Sequence, residues 1–178
     1  MGIKEKIRFV KGWPRSEVLF RDITPLLADA DAFDTAIDKM SIHYIYKDVN
    51  VVCGIEARGF IFGGAIAHRL GTGFVPIRKE GKLPCATESV TYDLEYGSAT
   101  LEIHTDAIKE GERVLIVDDI LATGGTAAAA VELVRRLGGE VVSVAVLVDL
   151  IEFDNKSKLE GIEVFSLIES GPVERVKW

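Results

Sequence analysis

Two adjacent carboxylates, followed by a turn rich in glycine and threonine, are the residues best suited to chemistry. Asp118 and Asp119 come directly after the apolar run at residues 114–117, and residues 122–126 read Ala-Thr-Gly-Gly-Thr. Backbone N–H groups of such a turn, and of a helix that starts there, bind phosphate, and glycine lets a ligand approach the backbone closely. Carboxylates repel phosphate, but they accept hydrogen bonds from sugar hydroxyls or bind a divalent cation. The pattern predicts a sugar-phosphate site.

The elements that flank this turn are predicted from their composition. The run at residues 114–117 is apolar and rich in branched side chains, which is typical of a strand buried on both faces of a parallel sheet. Residues 126–133 favour a helix. The turn is not a P-loop and lacks the G-x-G-x-x-G spacing. An isolated Thr-Gly-Gly-Thr would as readily be an ordinary turn, but the strand and the acidic pair before it favour the functional interpretation.

A second strand-to-helix turn, Glu56-Ala57-Arg58-Gly59, places an arginine where the first turn has threonine and glycine. Arginine offers a fork of N–H donors that matches phosphate oxygens. Alone, Arg58 would be interpreted as a solvated turn residue. Residues 56–82, however, carry a local charge of +3 in a chain of net charge −7. The stretch therefore predicts a diphosphate site, and its cations are Arg58, Arg69, Arg78, Lys79 and Lys82.

The rest of the chain alternates between predicted strands and helices. We expect helices over residues 31–46 and 60–70, and a long loop over residues 79–97. Strands are expected at residues 49–55, 73–78, 99–104, 141–148 and 164–168. Pro76 suggests that its strand is irregular or lies at an edge. This alternation predicts an α/β protein with a mainly parallel sheet, whose ligands gather at the carboxyl ends of the strands.

The composition is that of an ordinary globular protein, with 48% hydrophobic and 28% charged residues. The negative net charge argues against a general nucleic-acid binder. No apolar run approaches the roughly 20 residues that span a membrane, and the N-terminus has no apolar signal region. Cys53 and Cys85 have no disulfide or metal-site spacing. We expect a cytoplasmic protein that binds neither nucleic acid nor membrane.

Several separate motifs in order resemble one enzyme family. Residues 114–126 resemble the phosphoribosyl-pyrophosphate (PRPP) signature of type I phosphoribosyltransferases. Residues 18–27, reading V-L-F-R-D-I-T-P-L-L, resemble a segment of the adenine phosphoribosyltransferases, and residues 78–84 with 92–97 resemble their catalytic flexible loop. The resemblance extends from about residue 20 to residue 149 and includes Gly-Ile-Glu-Ala-Arg-Gly-Phe at residues 54–60.

The resemblance implies a fold and a reaction. The fold would be a single α/β domain over residues 1–178, with a central, mainly parallel sheet flanked by helices and a small N-terminal hood of about residues 1–30 that binds the base. The reaction would transfer ribose 5-phosphate from PRPP to N9 of adenine, giving AMP and pyrophosphate. It would require Mg²⁺, held mainly by PRPP, with Asp118 or Asp119 as candidate ligands. The family also implies a homodimer.

The resemblance assigns roles residue by residue. Asp118 and Asp119 would bind the ribose hydroxyls. The 5′-phosphate would be bound by Ala122, Thr123, Gly124, Gly125 and Thr126. Pyrophosphate would be bound by Ala57, Arg58, Arg78, Lys79 and Lys82, with a cis peptide between Ala57 and Arg58. Adenine would be bound by Leu19, Phe20, Arg21 and Ile120. The catalytic residues would be Glu95, Arg58 and Lys82, with Tyr96 in the flexible loop.

Two of these assignments have a physical reason and a plainer alternative. Phe20 offers an aromatic face on which a flat purine can stack, although a core aromatic would look the same in the sequence. Glu95 could manage a proton on the imidazole ring of the purine as N9 attacks. Without the family, Glu95 would be interpreted as a solvated loop acid.

Three other functions remain open from the sequence. The chain could use another purine, such as hypoxanthine, guanine or xanthine, and assays with each base separate these. It could be a non-catalytic PRPP-sensing regulator, which would normally need an added DNA-binding segment and a basic surface. It could also be an unrelated nucleotide-binding α/β domain, which the order of the motifs disfavours.

Overall fold

The computed structural model describes residues 2–16, 18–93 and 97–171. The chain divides into two compact units, residues 1–39 and residues 40–178. The division falls inside a helix, about ten residues beyond the boundary of 30 expected for the hood. That the first unit binds the base stays a prediction.

The first unit is built on a two-stranded antiparallel sheet. Strand β1, Arg8–Lys11, pairs with β2, Leu19–Asp22. Helix α1, Thr24–Ala28, follows, and α2, Ala30–Ile42, begins in this unit. Asp22 Oδ1 accepts hydrogen bonds from the backbone N–H of Thr24 (2.9 Å) and its hydroxyl (2.6 Å), which lower the pKa of Asp22 to about 2. Both strands have only four residues, too few for an alternation of apolar and polar side chains to predict them from the sequence.

The second unit contains a seven-stranded sheet in the order β5-β6-β4-β3-β7-β8-β9. The five strands β4, β3, β7, β8 and β9 are parallel to one another. Strand β6 pairs antiparallel with both β4 and β5. The bounds are Val51–Ile55 (β3), Gly73–Lys79 (β4), Thr87–Asp93 (β5), Ser98–His104 (β6), Arg113–Leu121 (β7), Glu140–Leu150 (β8) and Val164–Ser170 (β9). This topology confirms the predicted α/β class with a mainly parallel sheet.

Two helices flank this sheet. Helix α3, Gly59–Leu70, packs on β3, β4 and β7, whereas α4, Gly125–Arg136, packs on β5 to β8. A short 3₁₀ helix covers Ser157–Leu159. Every side chain of residues 114–117 is buried, as the apolar run predicts. The core therefore lies between the sheet and its helices, and strand-to-helix turns follow β3 and β7 at their carboxyl ends.

Three details differ from expectation. Strand β7 continues through the acidic pair to Leu121, because its neighbour β8 pairs with it as far as Asp149. The loop expected over residues 79–97 contains β5, whose Val90 and Tyr92 alternate onto the core while the intervening residues face outward. Strand β4 lies inside the sheet and not at its edge. It pairs with β6 only at Arg78 and Lys79, so Pro76 has a partner on β3 (Gly54) but none on β6.

Candidate functional site

The turn of residues 122–126 joins β7 to α4 and lines a small open cavity. Gly124 has φ of 76°, in the left-handed region that glycine adopts freely, and its carbonyl accepts the N–H of Ala128 (2.9 Å). The first N–H groups of a helix have no carbonyl partner within it, so those of α4 are suited to donate to a ligand. The cavity measures about 80 Å³, and among its lining residues are Asp118, Ile120, Ala122, Thr123, Gly124 and Thr126. The structure thus brings six of the predicted site residues together.

A buried asparagine that the sequence did not single out lies against this turn. Asn155 is 3% exposed, and its Nδ2 donates to Asp149 Oδ1 (2.7 Å), Leu150 O (3.2 Å) and Leu121 O (3.4 Å). A β-carbon on Gly124 would lie 2.2 Å from the backbone oxygen of Asn155. Asn155 therefore holds Leu121, where the turn starts, and its backbone oxygen packs closely against Gly124. Nothing in the sequence marks it, since an asparagine between Asp154 and Lys156 is typical of a solvated loop.

A buried carboxylate accompanies this asparagine. Asp149 is fully buried, and the ammonium of Lys156 lies 2.9 Å from its Oδ2, without the geometry of a hydrogen bond. Opposite charge at this distance offsets part of the cost of burying the carboxylate. The segment that follows β8 is thereby tied to Asp149 of β8 and to Leu121, the last residue of β7.

The two acidic residues of β7 differ in environment. Asp119 is 3% exposed, while Asp118 is partly buried and its Oδ1 accepts the backbone N–H of Asp119 (2.8 Å). Burial, and next the negative charge of Asp119, raise the pKa of Asp118 well above its usual 3.8. Arg58 Nε donates to Asp119 Oδ2. The acidic pair therefore joins the glycine-threonine turn to the arginine turn.

The arginine turn is held close to β7 by Gly59, the first residue of α3. A β-carbon there would lie 2.7 Å from the carbonyl oxygen of Val117 and 3.0 Å from Asp118 Oδ1. The cis peptide lies between Glu56 and Ala57, so its expected place between Ala57 and Arg58 is wrong. Arg58 already has helical backbone angles (φ −73°, ψ −27°), and the irregular peptide precedes that start of the helix.

The other cations of this region differ in how they are bonded. Arg78 donates from Nε (3.2 Å) and Nη2 (3.5 Å) to the carboxylate of Glu56, and from Nη1 to Lys82 O (3.0 Å). Burial raises the pKa of Glu56, but the N–H of Lys79 (3.0 Å) and the charge of Arg78 outweigh it and lower the pKa overall. Ala57, Arg58, Lys79 and Lys82 are exposed. Arg78 thus has a carboxylate partner, while the two lysines face solvent.

The residues predicted to bind the base lie in β2, except for Ile120 in β7. Leu19 and Phe20 are partly buried, and Arg21 is 6% exposed with its Nη1 donating to Leu19 O (2.7 Å). Trp13 meets the Phe20 ring edge-on, with the two centroids 4.5 Å apart. Trp13, which the sequence analysis did not select, lies in the turn between the two strands of the first unit. Glu95 and Tyr96 fall outside the described residues.

Neither a metal-binding cluster nor a membrane-spanning helix occurs among the described residues. Across residues 2–16, 18–93 and 97–171, no three His, Cys, Asp or Glu side chains cluster as a metal site. Within the same ranges no helix is long and apolar enough to cross a membrane. Asp118 and Asp119 thus supply two carboxylates, short of a metal site built by the protein alone.

Comparison with known proteins places this arrangement in a class. The family model for the phosphoribosyl transferase domain matches residues 26–170. The chain therefore belongs to the phosphoribosyltransferases. The adenine phosphoribosyltransferase of Clostridium kluyveri is 50% identical over 169 residues, covering 95% of this chain and 98% of the relative. That of Acidobacterium capsulatum is 53% identical over 166 residues, covering 93% and 92%.

Solved structures agree with this placement. The crystal structure of adenine phosphoribosyltransferase from Thermoanaerobacter pseudethanolicus superposes with a TM-score of 0.92 at 48% identity, covering 94% of this chain and 98% of that one. The Saccharomyces cerevisiae enzyme, complexed with adenine and an imino-altritol bisphosphate, gives a TM-score of 0.90 at 39% identity and covers 93% and 96%. Within its class the chain belongs to the adenine phosphoribosyltransferases, which are pentosyltransferases.

Proposed function

We propose that this chain transfers the ribose 5-phosphate group of PRPP to N9 of adenine, giving AMP and pyrophosphate in purine salvage. The observation that carries the proposal is the cavity at the carboxyl end of β7. There Asp118 lines the same cavity as Ala122, Thr123, Gly124 and Thr126. Carboxylates accept hydrogen bonds from ribose hydroxyls, while the turn donates to a phosphate dianion.

The donor is bound from both ends in this proposal. Asp118 and Asp119 accept from the ribose hydroxyls, and the 5′-phosphate accepts from the amides of residues 122–126 and from the hydroxyls of Thr123 and Thr126. At the other end the pyrophosphate accepts from Arg58, Lys79 and Lys82, and from Arg78 once it exchanges its Glu56 contact. Because Arg58 is bonded to Asp119, the two ends of the donor site share one charge network.

Departure of pyrophosphate leaves positive charge on the sugar ring, so the arrangement must stabilise the leaving group. Arg58 and Lys82 neutralise the negative charge that grows on pyrophosphate. The base is bound by Leu19, Phe20, Arg21 and Ile120, with N9 held against C1′. Glu95 takes the proton that the imidazole ring releases as N9 attacks, and Tyr96 keeps water from the sugar.

Mg²⁺ completes the site as a cofactor carried by the substrate. Two carboxylates fit a cation that PRPP oxygens coordinate mainly, because Mg²⁺ commonly combines one or two carboxylates with substrate phosphates. When bound, it offsets the charge of the pyrophosphate group. We further propose that the protein is cytoplasmic and that it forms a homodimer. Sedimentation of the purified protein tests the dimer.

The test is a steady-state assay of AMP formation with PRPP, Mg²⁺ and each of four purines. We expect adenine to be preferred over hypoxanthine, guanine and xanthine, and preference for an oxopurine would overturn the assignment. Asp118→Asn and Asp119→Asn should each raise the KM for PRPP about tenfold to a hundredfold, since hydrogen bonds to charged groups contribute about 1.5–3 kcal/mol.

A matched control separates ribose binding from a general loss of charge. Asp106 is an exposed carboxylate in the turn after β6, and Asp106→Asn should leave the KM for PRPP unchanged. Circular dichroism checks that all three variants stay folded. Full activity of both β7 variants would show that the acids do not bind ribose.

A further inference from the structure

The end of strand β5 packs against the turn of residues 122–126. A β-carbon on Gly125 would lie 3.3 Å from the carbonyl oxygen of Asp93 and 3.4 Å from Cδ2 of the Tyr92 ring. Tyr92 is partly buried and packs on the cluster that includes the inner face of α4. Strand β5 therefore contacts the turn through Tyr92 and Asp93, its last two residues. Tyr92 is three residues before Glu95 in the sequence.

A single hydrogen bond connects this strand to a residue of the donor site. Thr126 Oγ1 donates to the hydroxyl of Tyr92 at 3.1 Å. Thr126 also lines the cavity at the turn, as the second residue of α4. Its hydroxyl has one proton to give, and a phosphate dianion offers oxygens that only accept. The proton cannot serve Tyr92 and the 5′-phosphate at once.

We propose that Tyr92 is a positioning residue for the 5′-phosphate of the donor and acts through Thr126. This inference rests on the proposed function. When phosphate binds, the Thr126 hydroxyl turns and donates to a phosphate oxygen. The phenol of Tyr92 then turns and donates its own proton to Thr126 Oγ1. No proton leaves either residue, because two hydroxyl groups rotate and the hydrogen bond between them reverses direction.

The reversed bond has two physical consequences. It holds Thr126 in the rotamer that reaches the phosphate, which removes part of the entropy cost of ordering that side chain on binding. It also polarises the Thr126 hydroxyl, since hydrogen bonds in a chain strengthen one another. Phenylalanine fills the same space as tyrosine but cannot donate a hydrogen bond to Thr126. Tyr92→Phe would therefore remove both effects.

This mechanism makes the contribution of Tyr92 specific to ligands that carry the 5′-phosphate. PRPP and AMP carry that group, whereas adenine and pyrophosphate do not. A tyrosine that merely stabilised the hairpin would affect all four ligands alike. The pattern across ligands therefore distinguishes positioning from a structural role.

The experiment compares Tyr92→Phe with a second variant, which loses a hydroxyl group at the neighbouring position of the same strand. Thr91 Oγ1 bonds Thr100 Oγ1 (2.9 Å) across the hairpin, on the exposed side, so Thr91→Val is the matched control. We expect Tyr92→Phe to raise the KM for PRPP and the Kd for AMP about twofold to tenfold, as one neutral hydrogen bond predicts. The KM for adenine and the Kd for pyrophosphate should not change. Thr91→Val should change none of these constants.

A double-mutant cycle with Thr126→Val tests the route through threonine. If Tyr92 acts through Thr126, adding Tyr92→Phe to Thr126→Val should raise the KM for PRPP no further. Additive effects, or equal effects of Tyr92→Phe on adenine and PRPP, would overturn the inference.

Calorimetry with ribose 5-phosphate keeps this test independent of the reaction. If the wild-type protein formed no AMP, the proposed function would fail. Weaker ribose 5-phosphate binding by Tyr92→Phe than by wild type would still support the role of Tyr92. Equal binding by the two proteins, or no binding by the wild type, would overturn it.

Discussion

The turn between β7 and α4 has no charged residue from position 122 to 126, whereas the turn between β3 and α3 carries Glu56 and Arg58. The first turn is shaped by its surroundings, since Asn155 packs against Gly124 and Tyr92 against Gly125. The second is shaped by charge, because Arg58 bonds Asp119 and Glu56 bonds Arg78. The two turns, which we propose bind similar groups, are thus built from different interactions.

The difference shows what each turn requires of its ligand. At the glycine-threonine turn the backbone N–H donors are fixed before binding and only the hydroxyls rotate, so we expect affinity to depend mainly on backbone shape. At the arginine turn Arg58 is already bonded to Asp119, so a pyrophosphate bound there would have to replace or share that contact. Binding there should depend on charge and ionic strength, since salt screens exposed charges. Shape should matter most at the first turn and charge at the second.

The largest effect is expected from Gly124→Ala, which breaks the shape of the first turn. A β-carbon would meet the Asn155 backbone oxygen at 2.2 Å, and φ of 76° costs a non-glycine residue about 1–2 kcal/mol. The turn must shift by about an ångström, a displacement that can cost about a hundredfold in rate. We expect kcat/KM for PRPP to fall at least that far, measured by AMP formation.

Gly161→Ala is the control for backbone strain. Gly161 has φ of 77°, and apart from its chain neighbours none of the described residues has a heavy atom within 4 Å of the place its β-carbon would take. This variant should lose a similar amount of stability from strain and keep its activity. If Gly161→Ala reduced kcat/KM as much as Gly124→Ala, contact with Asn155 would not explain the loss.

Next in size is Arg58→Gln, which removes charge from the second turn. Loss of a charge-assisted hydrogen bond should raise the KM for PRPP, and for pyrophosphate in the reverse reaction, about tenfold to a hundredfold. The rise should diminish as salt is added, because the wild-type protein loses affinity with ionic strength. AMP, which lacks pyrophosphate, should bind almost as before.

Two further variants control for stability and for general charge. Arg58→Lys retains the charge beside Asp119, so it should recover part of the affinity. Arg136 is an arginine of α4 that bonds Glu132 (3.0 Å) and Glu88 (2.9 Å), and Arg136→Gln should leave pyrophosphate affinity unchanged. A salt-independent loss in Arg58→Gln would count against a charge-based site.

The contrast between the turns also explains what the sequence could predict. Runs of consecutive residues carry their own signals, and both turns, the buried strand before Asp118 and the parallel sheet were predicted from such runs. The structure therefore brings together residues that the sequence had grouped by local pattern, while their roles stay a prediction.

Contacts between distant positions were not predictable in this way. Asn155 supports a turn 31 residues earlier, and Tyr92 reaches Thr126 from another strand, so neither leaves a local pattern. The sequence of β5 predicts a loop, because its alternation of Val90 and Tyr92 is hidden among polar residues. The pairing of Arg78 with Glu56 likewise depends on the register of β3 and β4.

A smaller and graded effect is expected from pH, because Asp118 lies where the two turns meet. Its pKa is raised in the folded protein by burial and by Asp119. As the pH falls through that raised pKa, Asp118 gains a proton and accepts poorly from ribose hydroxyls, so affinity for AMP should decrease. Folding stability changes with the opposite sign. Protonation of Asp118 in the folded state adds stability as the pH falls towards 3.8.

Asp118→Asn isolates both effects. Calorimetry of AMP binding and thermal unfolding, each measured against pH, should show weaker pH dependence in the variant than in wild type. The AMP phosphate titrates near pH 6 in both proteins, so its contribution cancels in the comparison. Parallel pH profiles would show that Asp118 has an ordinary pKa.

The smallest effect is expected from Gly125→Ala, which tests shape at the first turn without backbone strain. Gly125 lies in the first turn of α4, so alanine suits its backbone. The new β-carbon would sit 3.3 Å from Asp93 O and 3.4 Å from the Tyr92 ring, contacts that a shift of a few tenths of an ångström relieves. We expect a cost of about 0.5 kcal/mol, or roughly twofold in the KM for PRPP. A loss as large as that of Gly124→Ala would mean that the hairpin side of the turn is as rigid as the Asn155 side.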